Sequence, residues 1–443
     1  MNDLFELSAP LSADAHLVDS GDRLHLLVPN GNRLYDVDAD TYAQLDRVRR
    51  AGDGAELGAL LQRLGVDAPS YVDDTPPQQP PVRALSLAVA QKCNLGCTYC
   101  YAQGGSFGGP ATSMELETAL ASVELLFSDV GAGERVNLTF LGGEPLLNRA
   151  VIRAATQRAR AIADERDVRV TFSITTNGTQ LTAEDGDFFE QHGFAVTVSL
   201  DGAGAVHDQL RSYRSGRGSF DRVIERVTPL LERQRRMQVS ARVTVTPSNL
   251  ELKETLDTFV ALGFHSVGFS PLLRSPNGSH ELGGAELASM LDGMVSCGEE
   301  FERRVTAGER YPFANAVNAM REIHRGTHRP YPCGAGAGYL GVSADGELAA
   351  CHRFVGDDEG ALGDLAGGVD RERQARWLSE RHVHVQEPCR SCWARYMCGG
   401  GCHHEVIERG RPACDYIRGW LHWSLAAYAR LTQSRPDYFV AVR

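Results

Sequence analysis

Short apolar runs alternate with longer amphipathic segments between residues 82 and 275. The apolar runs predict strands, because strands are short and rich in Val, Ile and Phe. These strands are predicted at 84–90, 136–141, 168–175, 195–200, 239–245 and 266–270. The segments between them have apolar residues every three or four positions and predict helices at 113–128, 149–165, 220–235 and 250–262. Six such units in succession indicate an α/β fold with a parallel sheet and right-handed crossovers.

The residues before this region have a different pattern. Segments 24–28 and 33–37 predict a β-hairpin around a turn at 29–32, and helices are expected over 42–50 and 55–64. Residues 71–81 are rich in Pro, Asp and Gln and indicate a linker. We therefore predict a small α+β domain at 1–80, followed by the α/β domain at 82–275.

The residues after the α/β region predict two further parts. Residues 281–307 have a helical period and fall in a predicted helical bridge at 276–330. From residue 331 onward Gly and Cys become frequent, which is typical of a domain held together by metal rather than by a large apolar core. A closing helix is expected over 416–431, so 331–443 is predicted to be a separate domain.

Composition narrows the functional classes. The 443-residue chain has 42% hydrophobic residues and a net charge of −12, which gives no electrostatic footprint for nucleic acid. No stretch is long and apolar enough to span a bilayer, and the first residues lack the pattern of a signal peptide. We therefore expect a cytoplasmic protein with neither a nucleic-acid nor a membrane partner.

The 11 cysteines favour metal over disulfides, because ten of them fall into two blocks and the cytosol is reducing. The first block is Cys93, Cys97 and Cys100, in a C-x3-C-x2-C spacing on the loop after the first predicted α/β strand. Three thiolates hold three corners of a four-iron cluster and leave one iron open to a small molecule. A zinc site, or three unrelated thiols, is the alternative.

The second block lies in the last quarter of the chain and has seven cysteines: Cys333, Cys351, Cys389, Cys392, Cys398, Cys402 and Cys414. Spacing alone allows either of the last two to complete the tetrad that begins at residue 389. Zinc is again the alternative. Cys297 lies in a helical pattern and is predicted to be a buried core thiol.

The cysteine loop, with Tyr101 after it, resembles the signature of the radical S-adenosylmethionine (radical SAM) enzymes. Gly142-Gly-Glu-Pro145, after the second α/β strand, is similar to the segment of that family that binds the amino group of SAM. Ser199-Leu-Asp-Gly202 and the following His207-Asp-x-x-Arg211 resemble the branch that modifies peptides and sulfatases. The resemblance implies a partial (β/α)6 barrel, which agrees with the six predicted units.

The same resemblance implies the SAM contacts. Ser199 is expected on the ribose, Arg211 on the carboxylate, and the backbone of Tyr99 beside the adenine. The further expected contacts are Gly142, Gly143, Glu144, Asn177 and Leu272. A planar guanidinium suits a carboxylate, although an ion pair at the surface is the alternative for Arg211. His207 and Asp208 are expected to cap a helix or to pair locally.

The second block resembles the SPASM domain, which implies two auxiliary iron–sulfur clusters. The pattern assigns one cluster to Cys389, Cys392, Cys398 and Cys414, and the other to Cys333, Cys351 and Cys402. With the SAM-binding cluster, three 4Fe-4S clusters are expected. Two auxiliary cubanes need eight thiolates and the block has seven, so one iron needs a non-cysteine ligand, an open site or a substrate thiolate.

The reaction is inferred from resemblance as well. Sulfatase-maturing relatives have an Asp base after the cysteine that matches Cys351, whereas this chain has His352 there. The block looks most like that of thioether-forming peptide maturases, such as the maturation protein of quinohemoprotein amine dehydrogenase. The first 80 residues are similar to the winged-helix-like module that binds leader peptides, with a structural cap as the alternative.

We therefore expect a radical SAM maturase that joins a Cys sulfur to a carbon in a ribosomally made peptide or small protein, by way of a 5′-deoxyadenosyl radical. A flavodoxin- or ferredoxin-type reductant would supply the electron, and His352 and Asp364 are the candidate bases. The alternatives are a carbon–carbon or carbon–oxygen crosslink, an electron-transfer protein that never cleaves SAM, and a scaffold that only binds the leader.

Overall fold

The structure, a computed structural model, describes residues 12–67 and 75–441. The predictions made for the first residues and for 71–74 of the linker lie outside this range. The chain forms two compact units. The first unit comprises Met1–Pro76, Gly283–Cys333 and Ser379–Arg443, and the second comprises Pro77–Leu282 and Gly334–Leu378.

The strands and helices are numbered in chain order. The strands are β1 His16–Asp19, β2 Leu24–Val28, β3 Arg33–Val37, β4 Ala84–Gln91, β5 Thr112–Ser113, β6 Arg135–Gly142, β7 Arg169–Thr176, β8 Ala195–Ser199, β9 Gln238–Val245, β10 Val267–Pro271, β11 Tyr339–Val342, β12 Glu347–Ala349, β13 Ala361–Asp364 and β14 Gly368–Val369. The α-helices are α1 Ala39–Ala51, α2 Gly54–Arg63, α3 Leu116–Phe127, α4 Arg149–Arg166, α5 Ala183–His192, α6 Ala205–Leu210, α7 Phe220–Arg233, α8 Leu252–Ala261, α9 Gly284–Thr306, α10 Ala314–His324, α11 Arg371–Arg381, α12 Arg395–Cys398, α13 His403–Arg409, α14 Cys414–Ser434 and α15 Pro436–Ala441. None of the described helices has the length and apolar character needed to cross a membrane.

The second unit is built on a parallel sheet whose strands follow one another in the order β10-β9-β8-β7-β6-β4. These are the six predicted strands, each within two residues of its predicted limits, so the predicted α/β fold is confirmed. Strand β4 is buried along almost its whole length, as expected for a parallel strand covered on both faces. Strands β7 and β9 instead alternate buried positions with more exposed polar ones.

The sheet continues beyond β4 in a way that the sequence did not predict. Strand β11 pairs in parallel with β4, with Tyr339 opposite Ala84, and β12, β13 and β14 follow as antiparallel strands. Residues 334–378 therefore belong to the same unit as the parallel sheet. The prediction that 331–443 forms one separate domain is wrong at this point, because backbone hydrogen bonds to β4 join its first strands to that sheet.

The first unit contains a small N-terminal module made of β1, β2, β3, α1 and α2. Its three strands form an antiparallel sheet, and Leu26, Leu45 and Leu57 belong to its shared apolar core. The predicted hairpin and both predicted helices are confirmed, whereas β1 was not predicted. The same unit contains the long helices α9 and α14, and Cys297 is fully buried within α9, as predicted.

Candidate active site

The first cysteine block lies directly after β4, at the carboxyl edge of the parallel sheet. The backbone N–H of Gly143 donates to the Ala90 carbonyl at 2.8 Å, and that of Glu144 donates to the Lys92 carbonyl at 2.9 Å. The Gly-Gly-Glu segment after β6 is therefore joined by hydrogen bonds to the segment that leads into Cys93. Side chains at this edge of a parallel sheet converge, which is why α/β enzymes place their sites there.

The glycines at this edge are required by backbone packing. A Cβ on Gly142, which has a φ of 150°, would lie 2.3 Å from the Ala90 carbonyl oxygen. One on Gly143 would lie 2.4 Å from the Lys92 carbonyl oxygen, and one on Gly105 would lie 2.9 Å from the Cβ of Cys93. The sequence predicted these two paired glycines as places for a ligand to approach. In the structure, the cysteine loop itself makes that approach.

Asn177 connects the end of β7 to the cysteine loop. Its Nδ2 donates to Asn94 Oδ1 at 3.0 Å and to Cys93 Sγ at 3.6 Å, and the Leu95 N–H also points to this sulfur at 3.4 Å. Hydrogen bonds to a cluster sulfur stabilise its negative charge and tune the reduction potential. Asn177 stays a predicted SAM contact, and the structure adds that its side chain supports Cys93.

The loop places its three thiols close enough together to interact electrostatically. Burial raises the pKa of Cys93, and it raises the pKa of Cys97 to about 11 against the opposing effect of Arg211. Cys100 is among the charges that act on both. Iron is bound by thiolates, so loading a cluster here releases protons.

The Glu144 carboxylate is completely buried and already hydrogen-bonded within the chain. Its Oε1 accepts from the Thr176 hydroxyl at 2.7 Å and from the Leu146 N–H at 3.0 Å, and its Oε2 accepts from the Asn177 N–H at 2.7 Å. Burial raises its pKa. A carboxylate has about four acceptor positions, so one remains for a further donor such as an ammonium group.

Arg211 forms a buried polar cluster with Tyr99 and Asp201. Its Nη1 donates to the Tyr99 hydroxyl at 2.8 Å and lies 3.5 Å from Asp201 Oδ2, while the Tyr99 hydroxyl donates to the same carboxylate. The Arg211 side chain is 12% exposed and Asp201 is not exposed, so the alternative of an ion pair at the surface is wrong. The Arg211 Nε is buried and has no hydrogen-bond partner among the described residues, so it retains a donor for an anionic ligand.

Two further predicted SAM contacts lie beside this cluster or near it. Tyr99 and Leu272 share a small apolar cluster with Leu210, so the structure brings the two predicted adenine neighbours together. Ser199 is the last residue of β8 and is partly exposed, and its hydroxyl makes no hydrogen bond within the part of the chain that the structure describes.

His207 and Asp208 have the structural roles that the sequence predicted. Asp208 Oδ1 accepts from the N–H groups of Ser219 and Phe220 at 2.7 and 2.8 Å, at the start of α7. His207 is fully buried; its Nδ1 accepts from the Asp201 N–H at 3.2 Å, which leaves its Nε2 to donate to Ser219 Oγ at 3.0 Å. Burial lowers its pKa to about 3, so the ring is neutral.

His352 is held beside the cysteine loop by groups that the sequence did not predict. Its Nδ1 is 2.8 Å from the Tyr339 hydroxyl, which is 2.8 Å from Ser86 Oγ on β4. The His352 ring meets the Tyr101 ring edge-on at 5.9 Å, and the Arg353 guanidinium lies 5.3 Å from that ring. Burial raises the pKa of Tyr101, with Cys100 and Cys351 among the charges acting on it.

Asp364, the other predicted base, is not part of this arrangement. It is exposed at the end of β13, where its Oδ1 accepts from the Ala366 and Gly367 N–H groups at 2.8 and 2.7 Å. Two strands, β11 and β12, separate β13 from β4 in the sheet. Asp364 stays a predicted base, although its carboxylate also holds a surface turn.

Four cysteines of the second block come together in the first unit: Cys389, Cys392, Cys398 and Cys414. Burial raises the pKa of Cys389 to about 11, with Arg411 opposing and the other three thiols reinforcing the shift. Backbone N–H groups of Gly400 and Gly401 hydrogen-bond to Cys398 and lower its pKa, although burial outweighs them. Cys333 and Cys402 also belong to the first unit, whereas Cys351 belongs to the second. Among the described residues, no three His, Cys, Asp or Glu side chains form a site for a single metal ion.

Comparison with known proteins shows which family the region of the parallel sheet resembles. The family profile described as the Radical SAM superfamily matches residues 87–259, which contain the first cysteine block, Gly142–Glu144, Ser199 and Arg211. The chain contains a radical SAM domain. A domain of this kind binds SAM and one four-iron cluster, and the chain is accordingly a radical SAM enzyme.

Relatives and solved structures extend the match beyond the radical SAM domain. The serine-type anaerobic sulfatase-maturating enzyme of Klebsiella aerogenes is 26% identical over 360 residues, which cover 77% of this chain and 85% of that enzyme. The solved structure of native anSMEcpe with bound AdoMet has a TM-score of 0.66 at 19% identity and covers 80% of this chain and 99% of its own. That of Streptococcus suis SuiB bound to precursor peptide SuiA has a TM-score of 0.53 at 14% identity, covering 91% and 97%. At identities of 19% and 14%, these two structures show only that the fold is shared.

The residues of the radical SAM domain fit its cofactors. Three thiols on one loop suit a cubane with one open iron, and the loop can pack as it does only because Gly105 and Gly143 have no side chain. Near it lie a buried carboxylate with one free acceptor position, Glu144, and a guanidinium with one free donor, Arg211. These complement the ammonium and the carboxylate of an amino acid.

Proposed function

We propose that this radical SAM enzyme matures a ribosomally made peptide or small protein by joining a substrate Cys sulfur to a carbon of another side chain. The observation that carries the proposal is the number of thiols. Four of the seven cysteines in the second block gather in the first unit. Only Cys333, Cys351 and Cys402 then remain for a second auxiliary cluster, and three thiolates leave one iron position for a substrate thiolate.

The substrate class is supported by what the relatives bind or act on. The SuiB structure contains its precursor peptide, and the Klebsiella relative matures a sulfatase. The N-terminal module of this chain has the strand and helix content of a leader-binding module, which is the role that we propose for it. The residue after Cys351 is His352 rather than Asp, which favours a reaction other than sulfatase maturation.

In this proposal the side chains of the second unit have separate tasks. Cys93, Cys97 and Cys100 bind the SAM cluster, while Glu144 and Arg211 orient the amino acid end of SAM. Asn177 supports Cys93 through its hydrogen bond to the sulfur. When bound, SAM and the clusters supply a radical that removes a hydrogen atom from the substrate carbon, together with an acceptor for the electron released on bond formation.

His352 is proposed to take the proton of the substrate thiol. Its ring contacts Tyr101, next to the cysteine loop, and it adjoins Cys351 in sequence. The Tyr339 hydroxyl lies 2.8 Å from both His352 Nδ1 and Ser86 Oγ on β4, so it holds the ring in this orientation.

The test uses anaerobically reconstituted enzyme, SAM, dithionite and the peptides encoded beside its gene. A product that is two hydrogens lighter, resists alkylation by iodoacetamide and forms with 5′-deoxyadenosine supports the thioether. The same mass loss with a thiol that is still alkylated shows a carbon–carbon or carbon–oxygen link, and reaction with a hydrazide shows oxidation of one side chain. The Cys97→Ala variant is the control, and absence of 5′-deoxyadenosine from every reaction would contradict the proposal.

A further inference from the structure

A cleft separates part of α10 from α14 in the first unit, and no cysteine lines it. Its volume is 340 Å³, which is within the range of small-ligand pockets. One wall is formed by Asn315, Asn318 and Glu322, and the other by Trp420 and Leu421. We call it the α10–α14 cleft.

The α10 wall is a continuous, polar helix face. Residues 315, 318 and 322 are spaced by three and four positions, so they lie on one face of α10. This is the polar face of an amphipathic helix, and it presents two carboxamides and a carboxylate to the cleft. Asn318 is exposed, and its one hydrogen bond among the described residues is a long one of 3.4 Å, from Arg321 to Oδ1. The Asn318 amide N–H groups are therefore available to a ligand.

The opposite wall and the floor are apolar. The Trp420 indole stacks on Trp423 at 4.9 Å and meets Phe313 edge-on at 5.9 Å, so the ring is held in place. Met397 and Ile323 also line the cleft, and each is 8% exposed. A carboxamide has the same donor and acceptor as a peptide bond, and an aromatic or sulfur-containing surface suits a bulky apolar side chain.

The length of the cleft suits an extended chain. The α10 face from residue 315 to residue 323 spans about 12 Å at 1.5 Å per residue. An extended peptide rises about 3.3 Å per residue, so three or four residues match this length. Glu322 and Arg329 line the same cleft, 3.6 Å apart and each more than one-third exposed, and they suit the partial charges of a peptide backbone.

The cleft also adjoins both the N-terminal module and the second cysteine block. Thr327 lines the cleft, and its carbonyl accepts from Asn32 Nδ2 at 3.3 Å, in the turn between β2 and β3. Arg329, which lines the cleft too, donates to the Met397 carbonyl at 2.7 Å. Met397 immediately precedes Cys398.

We propose that the α10–α14 cleft binds a short extended segment of the peptide substrate that carries a bulky apolar side chain. The backbone of this segment would bind Asn318, and its side chain would pack on Trp420, Met397 and Leu421. The inference rests on the proposed function in one respect, namely that the substrate is a peptide.

The test is a random-peptide display library panned on the full reconstituted chain, followed by fluorescence anisotropy with the enriched peptides. We expect enrichment of sequences with one Phe, Trp, Leu or Met. Asn318→Arg should weaken their binding at least tenfold, because its side chain fills the cleft. The matched control is Gln433→Arg, which adds the same charge at an exposed position of α14 outside the cleft and should leave binding unchanged.

The outcomes separate this inference from the proposed function. No enrichment, or peptides that bind wild type and Asn318→Arg equally, overturns the cleft as a peptide site whatever the modification assay shows. Peptides that depend on Asn318 support the cleft even if no crosslinked product is found, in which case the proposed reaction fails and the binding site stands. Circular dichroism of Asn318→Arg checks its fold, which we expect to be intact because Arg favours helix.

Discussion

The Nη1 atom of Arg211 lies 2.8 Å from the Tyr99 hydroxyl, and this contact joins side chains of the cysteine loop and of the segment after β8, which backbone hydrogen bonds also hold together. Tyr99 lies between two ligands of the proposed SAM cluster, and Arg211 is the proposed partner of the SAM carboxylate. The Tyr99 hydroxyl also donates to the buried Asp201 carboxylate. A single phenol therefore couples the position of the loop to the position of the guanidinium.

Removal of that hydroxyl should weaken both stability and SAM binding. Tyr99→Phe leaves the ring in its apolar cluster but takes a donor from Asp201 and an acceptor from Arg211. Hydrogen bonds to charged groups are worth about 2 kcal/mol each, so we expect a loss of this order in the free energy of unfolding. Denaturant titration measures the stability, and equilibrium binding measures the SAM dissociation constant.

Tyr213→Phe is the matched control, because no hydrogen bond of its hydroxyl is found among the described residues and its ring stays over Arg217. It should resemble wild type in both measurements. Equal SAM affinity in Tyr99→Phe and wild type would show that Arg211 is positioned without the phenol.

The glycine that packs on the cysteine loop should tolerate no side chain. In Gly143→Ala the added Cβ would lie 2.4 Å from the Lys92 carbonyl oxygen and 2.7 Å from the Gly105 Cα, and backbone atoms cannot move aside cheaply. We expect a destabilisation on the order of 3 kcal/mol and loss of iron from the first block. Gly109→Ala, whose Cβ would be 3.7 Å from its nearest neighbour, is the control. Normal iron content in Gly143→Ala would contradict this account.

The sequence predicted this part of the molecule well for a physical reason. Buried parallel strands appear in the sequence as apolar runs, so they are easily recognised. Parallel strands also have their carboxyl ends at the same edge of the sheet. The motifs after β4, β6, β7 and β8 could therefore be placed together without knowledge of the fold. Their chemical detail was less predictable. Asn177 turned out to hold Cys93, because a carboxamide satisfies a neighbouring side chain as readily as it does a ligand.

The predictions failed where long-range pairing decides the structure. Strand β11 is four residues long and contains a glycine, so its local pattern does not reveal that it pairs with β4, some 250 positions earlier in the chain. That pairing places Tyr339 opposite Ala84 and its hydroxyl on Ser86. The surroundings of Asp364 could not be judged for the same reason, since the sequence does not reveal that β11 and β12 lie between its strand, β13, and β4.

The assignment of Cys402 and Cys414 to different clusters can be tested by counting iron. If the assignment is right, Cys402→Ala and Cys414→Ala each lower the content from about twelve irons to about eight, and the double variant falls to about four. If both residues serve one cluster, the double variant keeps about eight. Elemental analysis and electron paramagnetic resonance of the anaerobically reconstituted variants decide between the two results. Cys297→Ala, at a buried core thiol of α9, is the control and should keep all its iron.

Substitution of the two candidate bases, His352 and Asp364, should have different effects on product formation. His352→Gln removes the proposed acceptor of the thiol proton, and we expect product formation to fall about 100-fold while 5′-deoxyadenosine is still made. Asp364→Asn keeps the surface turn, since Asn forms the same hydrogen bonds to the backbone, and should leave product formation unchanged. The ratio of product to 5′-deoxyadenosine is the measurement. A large loss in Asp364→Asn with a normal ratio in His352→Gln would reverse the assignment.

His207 should make the stability of the protein depend on pH. Its folded-state pKa is lowered to about 3 by burial, whereas an unfolded His has a pKa of about 6.5. As the pH falls below about 6.5, the unfolded chain takes up a proton that the folded chain does not, so its contribution to stability is lost towards acid. For this one group, the loss between about pH 7.5 and 5.5 is about 1.4 kcal/mol.

The variant that isolates this effect is His207→Asn, since an Asn oxygen can accept from the Asp201 N–H as Nδ1 does. The variant should have a lower free energy of unfolding than wild type at about pH 7.5, because the hydrogen bond to Ser219 is lost. This difference between the two proteins should be smaller by about 1.4 kcal/mol at about pH 5.5. A constant gap between His207→Asn and wild type would mean that folded His207 takes up a proton over the same pH range as in the unfolded chain, and the protonated Nδ1 could then not accept the Asp201 N–H.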